Sequence, residues 1–192
     1  MLRRIKVSLL RRCYFIHRLS YKRFGRKSCI YKPINISGKK YISIGNNCNI
    51  SEGARIEAIN KWGNQRFAPS IEIGDNTSIE NNLHMTSACK LKIGHDCTIL
   101  SRAMITNINH NYNRINKKVN EQDLIVSDIE IGNYCFIGMD VKIFPGVKIG
   151  DNVIVGANSI VMNNLPPYSV CVGVPARVIK KYNVLTKSWE RI

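Results

Sequence analysis

The sequence predicts an all-β fold, a three-sided solenoid of parallel strands, and three observations carry that reading. Between residues 131 and 161, branched aliphatic side chains fall at Ile131, Ile137, Ile143, Ile149, Val155 and Val161, six residues apart each time. Four residues beyond each of the first five stands a compact residue: Cys135, Val141, Val147, Val153 or Ser159. Glycine follows the aliphatic residue at Gly132, Gly138, Gly150 and Gly156. A period of six suits neither an amphipathic helix nor a simply alternating strand. It suits stacked units, each making one flat side and one corner, with three units to a triangular coil. The aliphatic residue points inward, the compact one fills the corner, and glycine eases the bend.

The chain opens differently. Residues 1–28 read as a basic helical segment, with Leu2, Ile5, Leu9, Cys13 and Ile16 at three- and four-residue steps among Arg3, Arg4, Lys6, Arg11, Arg12 and Arg18. Residues 1–51 hold thirteen Lys or Arg and no Asp or Glu, whereas residues 52–192 hold sixteen basic and thirteen acidic side chains. Such a head fits a helix lying in the plane of an anionic membrane surface. It also fits a cap over the first coil, since solenoid ends need covering. A nucleic-acid arm would share the charge, but no nucleic-acid-binding motif accompanies it.

Residues 29–181 form the predicted solenoid domain. Ile30, Ile36 and Ile42 hint at the period in a register different from that of Ile44. Ile44, Ile50 and Ile56 make one coil; Ile73, Ile79 and Met85 the next; Ile93, Ile99 and Ile105 a third, after two extra residues. Cys48, Ala54, Thr77, Cys97 and Ala103 hold the compact position. Two further coils run from Ile131 to Val161, giving five. Residues 57–70 interrupt the repeat with Trp62, Arg66 and Phe67, which suit either an acceptor pocket or packing against the column. The interruption at 106–128 is longer, and a loop of that length inside a compact domain is usually functional. It is rich in Asn and carries Arg114, Lys117 and Lys118. Pro166 and Pro167 stop the repeat. Residues 170–180 turn back along the column, and residues 182–192 form a tail, helical or extended.

With 192 residues, 44% hydrophobic and 22% charged, the chain has the size and composition of one globular domain. No run of eighteen apolar residues exists to cross a membrane as a helix. The apolar block at 7–10 is too short for a secretion signal. The seven cysteines form no CxxC pair, and Cys48, Cys89, Cys97 and Cys135 hold compact inward positions, which suggests buried free thiols in a reducing compartment.

The repeat, together with the closing residues GVPARVI at 173–179 and LPPYS at 165–169, resembles the hexapeptide-repeat acyltransferases, in their sugar and polysaccharide O-acetyltransferase branch. The resemblance covers roughly residues 44–181. It implies a left-handed parallel β-helix, a hand that the periodicity itself does not give. It also implies acetyl-CoA as donor, a homotrimer with the donor between neighbouring columns, and a cytoplasmic enzyme; the charge of the basic head adds the expectation of a peripheral contact to the inner membrane face.

The same resemblance points to His110 as general base, because it follows the repeat where the long excursion begins. A neutral imidazole titrates near neutrality and can take a hydroxyl proton as the oxygen attacks a thioester. Asn82, His84 and Asn109 would contact the acceptor, a sugar or lipid-linked glycan. Gly138, Gly156, Ala157, Arg177 and Lys180 would hold CoA, the two cations meeting its phosphates. Met162-Asn163 stands where the family often has Thr-Lys, removing one expected phosphate contact. His95 replaces the usual Asp of a corner and reads as a turn residue. Carbonic anhydrases of this fold bind zinc through three histidines, two of them five apart. His84, His95 and His110 lack that spacing, so no metal is expected. Two alternatives stay open: an acetyltransferase acting on an amino sugar, serine or an antibiotic, and a non-catalytic β-helix scaffold or binding subunit.

Overall fold

The computed structural model describes residues 19–192. Of the basic helix expected over residues 1–28, residues 1–18 lie outside the described residues. Leu19 and Ser20 are in a 3-10 turn, and residues 21–28 are not helical. Arg23–Phe24 is a strand paired in parallel with Ile42–Ile44, and Cys29–Ile30 pairs in parallel with Asn49–Ile50. Phe24 packs against the core and Ile30 is buried within it, while Ile36 follows six residues later on Asn35–Ser37. These three residues are a coil ahead of the five expected. An aromatic residue at its first inward position, and an eight-residue step from Ile36 to Ile44, hide it from a search for aliphatics at sixes.

The column has three sides. The first stacks Arg23–Phe24, Ile42–Ile44, Ser70–Ile73, Lys90–Ile93, Ile129–Ile131 and Lys148–Ile149. The third stacks Asn35–Ser37, Arg55–Ala58, His84–Ser87, Met104–Thr106, Lys142–Ile143 and Ile160–Val161. The second is the longest, with nine strands. Seven run in parallel, from Cys29–Ile30 to Ser169–Gly173. Ala176–Asn183 and Ser188–Arg191 then add antiparallel strands, so the tail is an extended strap. Inward residues such as Ile50, Ile79, Ile99 and Ile137 lie in register directly above one another and are fully buried. Each such side chain contributes roughly 1.5–3 kcal/mol by leaving water.

The compact residues do more than fill space on one edge. Between the first and second sides, a side-chain donor in each of five coils reaches the carbonyl of a glycine in the next. Ser28 Oγ donates to the Gly45 carbonyl at 2.6 Å, Cys48 Sγ to that of Gly74 at 3.1 Å, and Thr77 Oγ1 to that of Gly94 at 2.9 Å. Cys97 Sγ donates to Gly132 at 3.2 Å and Cys135 Sγ to Gly150 at 3.1 Å. These three thiols are thus free and buried, as expected, whereas Cys89, expected at the same inward step, is only half-buried. Burial raises the Cys48 pKa; the neighbouring Cys97 sulfur, then burial, raises that of Cys135.

Glycine at the corners serves close approach rather than the bend. Gly138 is not among the positive-φ glycines. A Cβ there would lie 2.6 Å from the Ala157 nitrogen of the next coil. The turn itself falls on Asn82 (φ 61°), Arg102 (φ 62°), Asp140 (φ 59°) and Asn158 (φ 60°) at successive coils of this same edge. Asn and Asp tolerate that left-handed conformation better than other side chains.

Both interruptions leave the same edge, between the third and first sides. The earlier follows Arg55–Ala58 and the later follows Met104–Thr106, two coils further along. At about 4.8 Å per coil they start roughly 10 Å apart.

Candidate active site

The later excursion departs through Asn107, which is fully buried. Its Oδ1 accepts the Ala88 N–H at 2.9 Å, and its Nδ2 donates to Ser87 Oγ at 2.8 Å and the Lys90 carbonyl at 3.3 Å. Its carbonyl accepts the Ser127 N–H, closing the base of the loop. Above this anchor, Ile108–His110 pairs antiparallel with Leu124–Val126, and His110 stands opposite Leu124. His110 and Asn109 are exposed.

The earlier interruption is a hairpin, Lys61–Trp62 against Gln65–Arg66, and it docks on the later one. The Trp62 ring meets the His110 ring edge to face, with centroids 5.5 Å apart at 73°. Trp62 Nε1 donates to the Gln122 carbonyl at 3.3 Å. The Gln65 amide bonds both backbone groups of Leu124: Oε1 accepts its N–H at 2.6 Å and Nε2 donates to its carbonyl at 3.2 Å. Gln122, 4% exposed, folds the excursion on itself by accepting from the Arg114 N–H and donating to the Arg114 and Lys117 carbonyls. The sequence gives no hint that Gln65, Asn107 and Gln122 carry these contacts. Their amides are unremarkable among the many Asn and Gln of the loops. Trp62 packs on the excursion rather than standing free, while Arg66 is exposed.

The other expected residues fall on neighbouring surfaces. His84 opens its strand on the third side, in register with Arg55 and Met104, and is exposed. It therefore lies at the end of that strand away from the excursion. Beside it, Thr86 Oγ1 donates to Thr106 Oγ1 at 2.8 Å. Asn82 precedes it at the edge between second and third sides, its Oδ1 close over Gly53. Gly138, Gly156 and Ala157 occupy that same edge in the next coils. Gly138 is buried beneath Ala157, so its part is corner packing.

Arg177 and Lys180 are three apart in sequence, which ordinary alternation would set on opposite faces. A register shift between Val170 and Cys171 changes this. Arg177 stands opposite Val172 and Lys180 opposite Val170, two residues that share a face, so the irregularity brings both cations to one side. Arg191 pairs with Lys180 on the strap and adds a third positive charge.

Two grooves of about 570 and 730 Å³ lie along the first side, lined by groups such as Glu72, Lys92, Glu130 and Lys148. None of the expected site residues lines either. Cys89, on the edge of the excursions, is no nucleophile: burial and then the Asp128 hydrogen bond push its thiol to about 12. Among the described residues, no three His, Cys, Asp or Glu side chains gather as a metal site.

Residues 128–163 match the family of bacterial transferase hexapeptide repeats. The chain is 32% identical over 166 residues to the putative lipopolysaccharide biosynthesis O-acetyl transferase WbbJ of Escherichia coli K12, covering 83% of this chain and 81% of that protein. It belongs to the hexapeptide-repeat acyltransferases. As an acyltransferase of this family, its column is a left-handed parallel β-helix. The crystal structure of a maltose O-acetyltransferase from Clostridium difficile 630 superposes with a TM-score of 0.60 at 27% identity, covering 86% of this chain and 72% of that one. A hexapeptide-repeat acetyltransferase from Vibrio cholerae, solved with acetyl coenzyme A, shares the fold at 24% identity, with a TM-score of 0.62 and coverage of 88% and 76%.

Proposed function

We propose that the protein is an O-acetyltransferase that moves acetyl from acetyl-CoA to a sugar hydroxyl in cell-surface polysaccharide assembly. The observation that carries this reading is the similarity to an O-acetyl transferase of lipopolysaccharide biosynthesis along most of both chains. The placement of His110 supports the chemistry: an exposed imidazole held on a braced hairpin at one edge of the column. The acceptor oxygen attacks the thioester carbonyl while the imidazole takes the hydroxyl proton. The tetrahedral intermediate collapses, the C–S bond breaks, and the imidazolium returns its proton to the departing thiolate.

The donor is acetyl-CoA. Arg177, Lys180 and, beyond the residues the sequence suggested, Arg191 supply positive charge for its phosphates, with Gly156 and Ala157 flanking the arm. His84, Asn82 and Asn109 are the acceptor contacts in this reading, and the Thr86–Thr106 pair lies on the surface between His84 and the loop.

The working unit is a homotrimer. One chain sets the donor residues and His110 on different edges, and the excursion carries Tyr112 and Ile115 at 75% and 96% exposure, apolar area that a neighbouring column would cover. The basic residues 1–27 suit contact with an anionic membrane that holds a lipid-linked acceptor.

The test is thiol release from acetyl-CoA against a panel of sugars, amino sugars, serine and antibiotic acceptors, with the product mapped by mass spectrometry. An O-acetylated sugar is expected. Exclusive N-acetylation of an amino sugar, or acetylation of serine alone, would overturn the acceptor assignment.

A further inference from the structure

The two interruptions could each have been a separate surface loop. They leave one edge of the column roughly 10 Å apart, the spacing of two coils, and dock on one another beside His110. Three contacts do this. The Trp62 indole packs edge to face on the His110 ring. Its N–H bonds the Gln122 carbonyl, two residues before the strand opposite His110. The Gln65 amide takes both backbone groups of Leu124, the register partner of His110. Among the described residues, neither nitrogen of the His110 ring has a recorded hydrogen bond. What fixes the ring's tilt is therefore an aromatic neighbour, and what fixes its strand is an amide from the same hairpin.

From this we infer that the hairpin of Lys61–Trp62 and Gln65–Arg66 is the positioning device of the base. Trp62 sets the imidazole plane, and Gln65 sets the height of the strand that carries it. The inference rests on the reading of His110 as the base. A base must sit within hydrogen-bonding reach of the hydroxyl, and an ångström of misplacement costs about a hundredfold in rate. An aromatic contact of this kind takes up no hydrogen bond of either ring nitrogen, which a carboxylate partner would. Trp62 touches the base rather than the reacting atoms, so it is a positioning residue.

The experiment compares His110→Ala, Trp62→Ala, Trp62→Phe and Gln65→Ala in the full-length protein. Acetyl-CoA hydrolysis, followed as thiol release, uses water in place of the acceptor. Proton NMR of the histidine rings, assigned with His110→Ala, follows the indole's ring-current effect on His110. Trp62→Ala should lower kcat by about a hundredfold, leave KM for acetyl-CoA within about threefold because the donor contacts are untouched, and move the His110 ring resonances. Trp62→Phe keeps an aromatic edge at the imidazole and should restore most of kcat. Gln65→Ala should speed hydrogen exchange at the Leu124 amide and lower kcat less than Trp62→Ala. Unmoved His110 resonances in Trp62→Ala would overturn the inference, as would a kcat in Trp62→Ala equal to wild type while His110→Ala is inactive. Full activity in His110→Ala would instead remove the base assignment on which the inference stands.

Discussion

Asn107→Ala removes the anchor at the foot of the excursion that carries His110. The side chain is fully buried and makes three hydrogen bonds to the neighbouring coil, at 2.9, 2.8 and 3.3 Å. Each is worth about 1 kcal/mol net. Ser87 Oγ keeps its bond to the Cys89 carbonyl, so it does not become an orphan. The Ala88 N–H does, and a buried unsatisfied donor costs about 1–3 kcal/mol. With that cost standing in place of the Ala88 bond's own, the loss is about 3–5 kcal/mol, or about 6–20 °C in Tm for a chain of this size. The assay is thermal unfolding at fixed protein concentration, with hydrogen exchange read at the Ala88 amide. The amide should lose protection, and turnover should fall because His110 lies three residues beyond the broken anchor. A Tm shift below about 2 °C, corresponding to less than about 1 kcal/mol, with the Ala88 amide still protected, would refute the reasoning.

Other consequences follow from the column itself. Gly138→Ala places a methyl 2.6 Å from the Ala157 backbone nitrogen, so the two coils must part; a loss of about 1–3 kcal/mol is expected in urea unfolding, and an unchanged midpoint would contradict it. The Asp75 carboxyl sits below the usual carboxylate range, chiefly because it accepts the Asn46 backbone N–H and then the Asn46 side chain. A depressed folded-state pKa adds stability above the unfolded value, about 3.9, and loses it as pH falls through the folded value. Wild type should therefore weaken below about pH 4 more steeply than Asp75→Asn, and parallel acid-unfolding curves would argue otherwise. Thiol labelling at pH 8, mapped by peptide mass spectrometry, should reach half-buried Cys29 before Cys89, whose pKa is pushed to about 12. Cys48, Cys97, Cys135 and Cys171 are buried and should label only on unfolding; labelling of Cys97 in the native protein would break that order.

The architecture was legible because one physical requirement repeats. Each inward Ile or Val must stack on the residue below it, so the spacing of six survives wherever the wall is regular. It blurs at Phe24, where an aromatic ring meets the same need with different chemistry. The compact position was legible as small, but not as hydrogen-bonding. Cys48, Thr77 and Cys97 read as fillers until the glycine carbonyl facing each is known. The bend attributed to the glycine after each aliphatic residue is made further on, at left-handed Gly53, Asn82, Arg102, Asp140 and Asn158, while a glycine such as Gly138 gives room for the next coil. His110 was singled out as a candidate base through family resemblance and its place at the mouth of a long loop. Its bracing was not, because Trp62 and His110 are forty-eight residues apart. Only the return of two interruptions to one edge, two coils apart, brings them together. Likewise, the pairing of Arg177 with Lys180 depends on a register shift that no local pattern announces.

The central claim is that one imidazole, held at the edge of a stacked column, takes the acceptor's proton. Turnover of His110→Ala, beside its Tm and oligomeric mass, tests this most directly. The expected result is a fall of about 10²–10⁴-fold with fold and assembly intact. Turnover equal to wild type in a correctly assembled variant would contradict it.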